Sequence, residues 1–212
     1  MAAAILVVAV VVVATRPASD ATAGSEVETL FAGIPQEGLT LGDPDAPYTL
    51  SEYVDLQCPF CRDYTLQTLP SVIQEFVRDG QVKLSLRPID ILGPDSETAS
   101  LATIAASEQN LAWQFADTFY RDQGPEGSGY VTDEFIRQVA TQTPGLDVAA
   151  LDPDSPSVRK VLDDTRRLAG EIGISSTPSF LLSKAGEQGQ LLTADSGDPA
   201  AFTAQLREAL GE

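Results

Sequence analysis

Ser51-Glu52-Tyr53-Val54-Asp55-Leu56-Gln57-Cys58-Pro59-Phe60-Cys61 is the stretch whose reading decides the rest of the chain. It completes an alternating run from Tyr48 that puts Tyr48, Leu50, Glu52 and Val54 on one face of a strand. From Phe60 the pattern turns helical, so the only two cysteines fall at a strand-to-helix turn with two residues between them. A C-x-x-C pair in that position reads as a redox dithiol. The helix N-terminus, with its unpaired N–H groups and partial positive charge, favours the thiolate of Cys58. Cys58 is then the attacking thiol and Cys61, one turn further in, the resolving one. Glu52 is an acid on an otherwise apolar face. Burial would raise its pKa and let it exchange a proton with a neighbouring thiol, whereas at a solvated strand edge it would do neither.

Three other readings of the pair stay open at this level. Structural zinc needs four ligands, and with two cysteines and no histidine it would require a dimer or unusual carboxylates, so no metal is expected. A structural disulfide would close so short a loop that it removes little entropy from the unfolded chain. Two unpaired core thiols fit poorly with Pro59 and the turn.

Working outward, 212 residues suit one domain with room for an inserted subdomain, and 43% apolar residues suit a globular core. A net charge of −18 and a pI near 4.1 exclude nucleic acid as a partner, because phosphate binding needs a basic face. The absence of histidine removes Ser-His-Asp and Cys-His catalysis and the common zinc hydrolases. No flavin or quinone motif occurs, so no cofactor is expected.

Ala2 to Ala14 is unbroken apolar sequence. As a helix it would reach about 20 Å, short of the roughly 30 Å hydrocarbon core of a bilayer. The length suits a signal-peptide core, with Ala21-Thr22-Ala23 as the cleavage site; the alternative is part of an uncleaved membrane anchor. Both put the remainder outside the cytoplasm, where a dithiol can be kept oxidised. Residues 1–23 are thus expected to be a signal peptide or part of an anchor, 24–33 a polar linker, and 34–212 the folded domain.

Within that domain the expected helix from Phe60 runs to about Asp79 and stops at Gly80, with Leu69, Val72, Ile73, Phe76 and Val77 buried and a kink at Pro70. Val82, Leu84 and Leu86 alternate as a second strand that ends at Pro88. Residues 94 to about 172 read as a helical block. Asp95/Ser96, Thr132 and Ser155-Pro156 are its helix starts, and Trp113 centres an aromatic cluster that is core or substrate groove. The last helix should bury Val158, Val161, Leu162, Leu168 and Ile172. Gly173 to Leu182 returns to strand with Gly189 to Thr193 as its hairpin partner, and Asp198-Pro199 opens a final helix carrying Phe202, Leu206 and Leu210. Without the helical block the order is βαβ–ββα.

From Gly33 onward the chain resembles the thioredoxin-fold superfamily, in particular the DsbA-type thiol:disulfide oxidoreductases. The resemblance rests on the Gly33-Ile34-Pro35-Gln36 lead-in, the stretch from Ser51 to Cys61, and Gly173-Ile174-Ser175-Ser176-Thr177-Pro178-Ser179-Phe180. It implies an α/β thioredoxin fold, a central mixed sheet flanked by helices, with the helical subdomain inserted at about 94–172. It also implies that Cys58 forms mixed disulfides, that Cys61 resolves them and that Glu52 is the buried acid. Pro178 becomes a cis-proline facing the dithiol, next to Thr177, which offers its backbone to a substrate strand. Pro59 and Phe60 become the dipeptide that tunes the cysteines. Asp55 fits the same pattern, though a surface strand end accounts for it equally well.

The strongest oxidants of this type carry histidine where this chain has Phe60, so here only the helix N-terminus is expected to depress the Cys58 pKa. The expected substrates are secreted or membrane proteins with free thiols, and a membrane redox partner reoxidises the dithiol. A disulfide reductase or isomerase, or a chaperone-like peptide-binding module with an incidental disulfide, are the rival readings.

Overall fold

The computed structural model describes residues 18–193 and 195–211. The apolar run from Ala2 to Ala14 lies outside them, and of the stretch read as signal or anchor only the backbone of residues 18–23 falls within. Among the described residues, no helix is long and apolar enough to cross a membrane.

Strand β3 (Tyr48–Val54) is the centre of the molecule. It pairs in parallel with β4 (Val82–Pro88) and antiparallel with β5 (Ser179–Lys184), and it is buried on both faces from Leu50 onward. The short strands β1 (Gln36–Glu37) and β2 (Thr40–Leu41) extend the sheet beyond β4, and β6 (Gln190–Leu192) extends it beyond β5. The order is β1-β2-β4-β3-β5-β6.

The parallel β3–β4 step requires a crossover. Residues 59–77 provide it as α2 (Pro59–Asp63), a π-helical turn (Tyr64–Thr68), α3 (Leu69–Val72) and a second π turn (Ile73–Val77). Pro70 has no N–H to donate, and the i→i+5 turns on either side of α3 are how the rod accommodates it. The rod ends at Gly80 (φ 71°), as expected from sequence.

The rod and α8 (Pro199–Leu210) cover the face of β3 that carries Leu50, Glu52 and Val54, through Tyr64, Phe76 and Phe202. Asp198 caps α8 by accepting from the Ala200 and Ala201 N–H groups. On the opposite face Tyr53 packs with Ile89 and with Ala169 of α7 (Pro156–Ile172).

Between β4 and β5 lie α4 (Pro94–Ser107), α5 (Ala112–Arg121), α6 (Asp133–Gln142) and α7. Thr132 caps α6 through the Phe135 N–H, as read from sequence. The start of α4 differs: Gly93 (φ 108°) is its N-cap and Pro94 its first residue, so Asp95 and Ser96 sit inside the first turn. Helix α7 buries Val158, Leu162, Thr165 and Ala169. Thr165 and Ala169 are small or polar and so carry no apolar signal, yet they share one helix face with Val158, Leu162 and the partly buried Ile172, from which Leu168 is turned away. Trp113 is 2% exposed and donates to the Leu39 carbonyl at 3.2 Å, a core role.

The linker expected at 24–33 is corrected. Helix α1 (Ala18–Phe31) runs through most of it and buries Val27 (1% exposed) and Phe31 (3%). Arg121 of α5 bridges Glu26 at 2.8 Å, and Arg78 donates to the Leu30 and Ala32 carbonyls. Two core residues one turn apart make too thin a stripe to stand out from polar surroundings.

Candidate active site

The C-terminal end of β3 and the N-terminal end of β5 lie side by side because the strands are antiparallel, with Tyr53 opposite Ser179. The residues leaving β3 and those entering β5 must therefore meet. Cys58 is the N-cap of α2 with Pro59 next, and Thr177-Pro178 is a cis peptide just before β5. The Cys58 thiol donates to the Thr177 carbonyl at 3.3 Å. Both cysteines are free; Cys58 is 4% exposed and Cys61 is fully buried. Phe60 stands out beside them at 68% exposure.

A hydrogen bond from the Cys61 thiol is the main reason the Cys58 pKa falls from 9.0 to about 6; burial opposes it, and backbone N–H groups of the turn assist. Burial foremost, and then the sulfur of Cys58, push the Cys61 thiol well above its ordinary range. The two sulfurs are thus set apart as the helix N-terminus suggested, with the second thiol as the stronger influence.

Glu52 is buried, 1% exposed, and its carboxylate accepts from the Tyr64 hydroxyl at 2.6 Å. Burial pushes its pKa up to about 8 against that hydrogen bond. It lies opposite Phe180 across the β3–β5 pair, under the Tyr64, Phe180 and Phe202 rings.

Asp55 is no surface strand end. It is fully buried, and its carboxylate accepts the Gln57 N–H and the Leu92 N–H, each at 2.9 Å. Its carbonyl takes the Cys58 N–H at 3.0 Å and the Tyr120 hydroxyl at 3.1 Å.

The inserted helices supply contacts that sequence reading missed. The Gln57 amide donates to Ser96 Oγ at 2.9 Å and its oxygen accepts the Gly127 N–H at 3.0 Å. The Gln123 amide reaches the Leu56 and Cys58 carbonyls at 2.8 and 3.2 Å. Arg62 Nε donates to the Tyr120 carbonyl at 3.0 Å. These partners come from 39 to 70 positions away in sequence, and no local pattern marks them.

A dithiol with one lowered and one raised thiol, beside a cis-proline at the end of the central strands of a thioredoxin-like sheet, is built for thiol–disulfide exchange. A family model described as Thioredoxin matches residues 35–189, well over half the chain, and the chain belongs to that family. A probable disulfide bond formation protein D of Bacillus anthracis is 29% identical over 146 residues, 66% of this chain and 67% of that protein. Among solved structures, oxidised BdbD from Bacillus subtilis shares the fold with a TM-score of 0.72 at 20% identity, over 84% of this chain and 98% of that one. The alpha-DsbA1 of Wolbachia pipientis gives 0.69 at 17% identity, over 87% and 96%. The chain is a thiol:disulfide oxidoreductase of DsbA-like, thioredoxin-fold type.

Proposed function

We propose that this oxidoreductase works as an oxidant outside the cytoplasm, introducing disulfides into secreted or membrane proteins with free thiols. The observation that carries the direction is the placement of Cys58 at the N-cap of α2, where a hydrogen bond from the Cys61 thiol and the N–H groups of the turn lower its pKa to about 6. A stabilised thiolate stabilises the reduced protein, which makes the disulfide the better electron acceptor. In this reading a substrate thiolate attacks the Cys58–Cys61 disulfide at Cys58, and a second substrate thiol releases the product. Thr177 and Pro178 hold the substrate strand against Cys58, Pro59 and the exposed Phe60 tune the turn, and Glu52 relays protons behind it. A membrane partner reoxidises the dithiol. The apolar segment up to Ala14 supports export, either as part of a signal peptide over residues 1–23 or as an anchor for the folded chain that follows.

Equilibration with glutathione buffers tests the direction. The expected reduction potential lies above about −180 mV, the value of protein disulfide isomerase, on the side of the protein oxidants. A value near about −270 mV, that of a reductase such as thioredoxin, overturns it.

A further inference from the structure

The loop between α5 and α6 stands beside the redox turn with no part in the exchange scheme. Its residues Pro125 to Gly129 are exposed, yet it is built to hold one shape. The Ser128 N–H closes a turn on the Pro125 carbonyl at 3.2 Å, and Gly127 (φ 66°) and Gly129 (φ 74°) take left-handed conformations. At its base the Tyr130 ring packs so closely on Gly124 that a β-carbon there would lie 2.7 Å from it. Two side-chain amides fasten this loop to the turn. Gln123 donates to the Leu56 and Cys58 carbonyls at 2.8 and 3.2 Å, and the Gln57 side-chain oxygen accepts the Gly127 N–H at 3.0 Å. Gln57 is itself held in place. It is 1% exposed, its backbone N–H is on the Asp55 carboxylate at 2.9 Å, and its side-chain amide donates to Ser96 Oγ at 2.9 Å.

Cys58 is thus bordered by two loops. Its thiol meets the Thr177 carbonyl at the cis-proline, at 3.3 Å, and its carbonyl meets Gln123, where the α5–α6 loop begins. At 4% exposure Cys58 is reached only through a narrow opening. A polypeptide that brings a sulfur into that opening lies against the rims around it, whereas a small thiol needs the opening alone. We propose that the loop from Gly124 to Gly129 is a wall of the substrate site opposite the cis-proline, and that Gln57 is the positioning residue that latches it there. Gln57 then determines specificity for polypeptide thiols over small ones, an inference that rests on the exchange reading above. A latched loop is ordered before the substrate arrives, so binding along it carries no further ordering cost. Unlatched, a loop with glycine at 124, 127 and 129 must be ordered by each peptide that uses it. A reductant too small to touch the loop is spared that cost.

The test is a ratio of two rates in the oxidised full chain: opening of the disulfide by a reduced dithiol peptide and by dithiothreitol. A change in the sulfurs themselves acts on both reductants alike, so the ratio isolates the wall. Gln57→Leu cannot accept the Gly127 N–H and should lower the peptide-to-dithiothreitol ratio about tenfold. Gln57→Glu keeps an oxygen for that N–H and should hold the parent ratio within about twofold, which separates the latch from a merely structural role. Where Gln57→Leu folds poorly, Gln123→Leu takes its place; that half-buried side chain frees the same loop from its other end, and the ratio should again fall. A leucine variant within about twofold of the parent ratio, or an equal loss in Gln57→Glu, overturns the proposal. Failure of the exchange reading looks different: the parent protein itself then fails to oxidise the peptide.

Discussion

Glu52 carries a proton-dependent cost that can be measured apart from catalysis. Its carboxyl goes from an ordinary value of 4.5 to about 8 on burial. Between those two values the folded chain binds more protons at this position than the unfolded chain, so stability falls as pH rises through that window. Glu52→Gln removes the slope. With the dithiol reduced, the variant should gain on the parent by more than about 1 kcal/mol between pH 5 and pH 8, read from denaturant midpoints. Parallel curves across that range would mean that the carboxyl is not held protonated. The proposed relay asks more: the Cys58 titration must also change in the variant. Alternation placed Glu52 on the right face, but its depth comes from Tyr64, Phe180 and Phe202, which reach it from other elements. Asp55 is open between a family site and a surface strand end in sequence for the same reason, because burial at a strand end depends on what folds over it. Here that cover includes the loop at Leu92 and α5.

Helix α1 was the element least legible in sequence and offers a sharp contrast between the two readings. A tether tolerates substitution, and surface changes usually stay within about 0.5 kcal/mol. Phe31 instead joins the main core at 3% exposure, so Phe31→Ala should cost about 3 kcal/mol in chemical denaturation. A loss below about 0.5 kcal/mol would return the segment to a peripheral role. Elements with a strong period were read well. The strands around Leu50 and Leu84, the rod after Cys58 and the cap at Asp198 all follow local rules. Those rules fail where small or polar residues do the packing, as Thr165 and Ala169 do on α7, or where a glycine in the left-handed region sets a helix start, as Gly93 does for α4.

At the scale of the whole molecule, the family resemblance implied that Pro178 faces the dithiol, and the antiparallel pairing of β3 and β5 brings Cys58 and Thr177-Pro178 to the same end of the sheet. What the resemblance could not supply is the brace on the turn. Ser96, Tyr120, Gln123 and Gly127 all belong to the inserted helices and their loops. The insertion therefore buttresses the redox turn as well as filling space. One property of the chain turns this site into something that can be counted. With no imidazole anywhere in the sequence, few groups change charge near neutrality, so the background against which the dithiol titrates is low. Reducing the disulfide at pH 7 adds two electrons but leaves Cys58, with its pKa of about 6, mostly unprotonated. Uptake in weak buffer should therefore be about one proton per molecule at pH 7, rising toward about two below pH 6. Two protons at both values would assign Cys58 an ordinary thiol pKa. A pH electrode can thus follow the electrons.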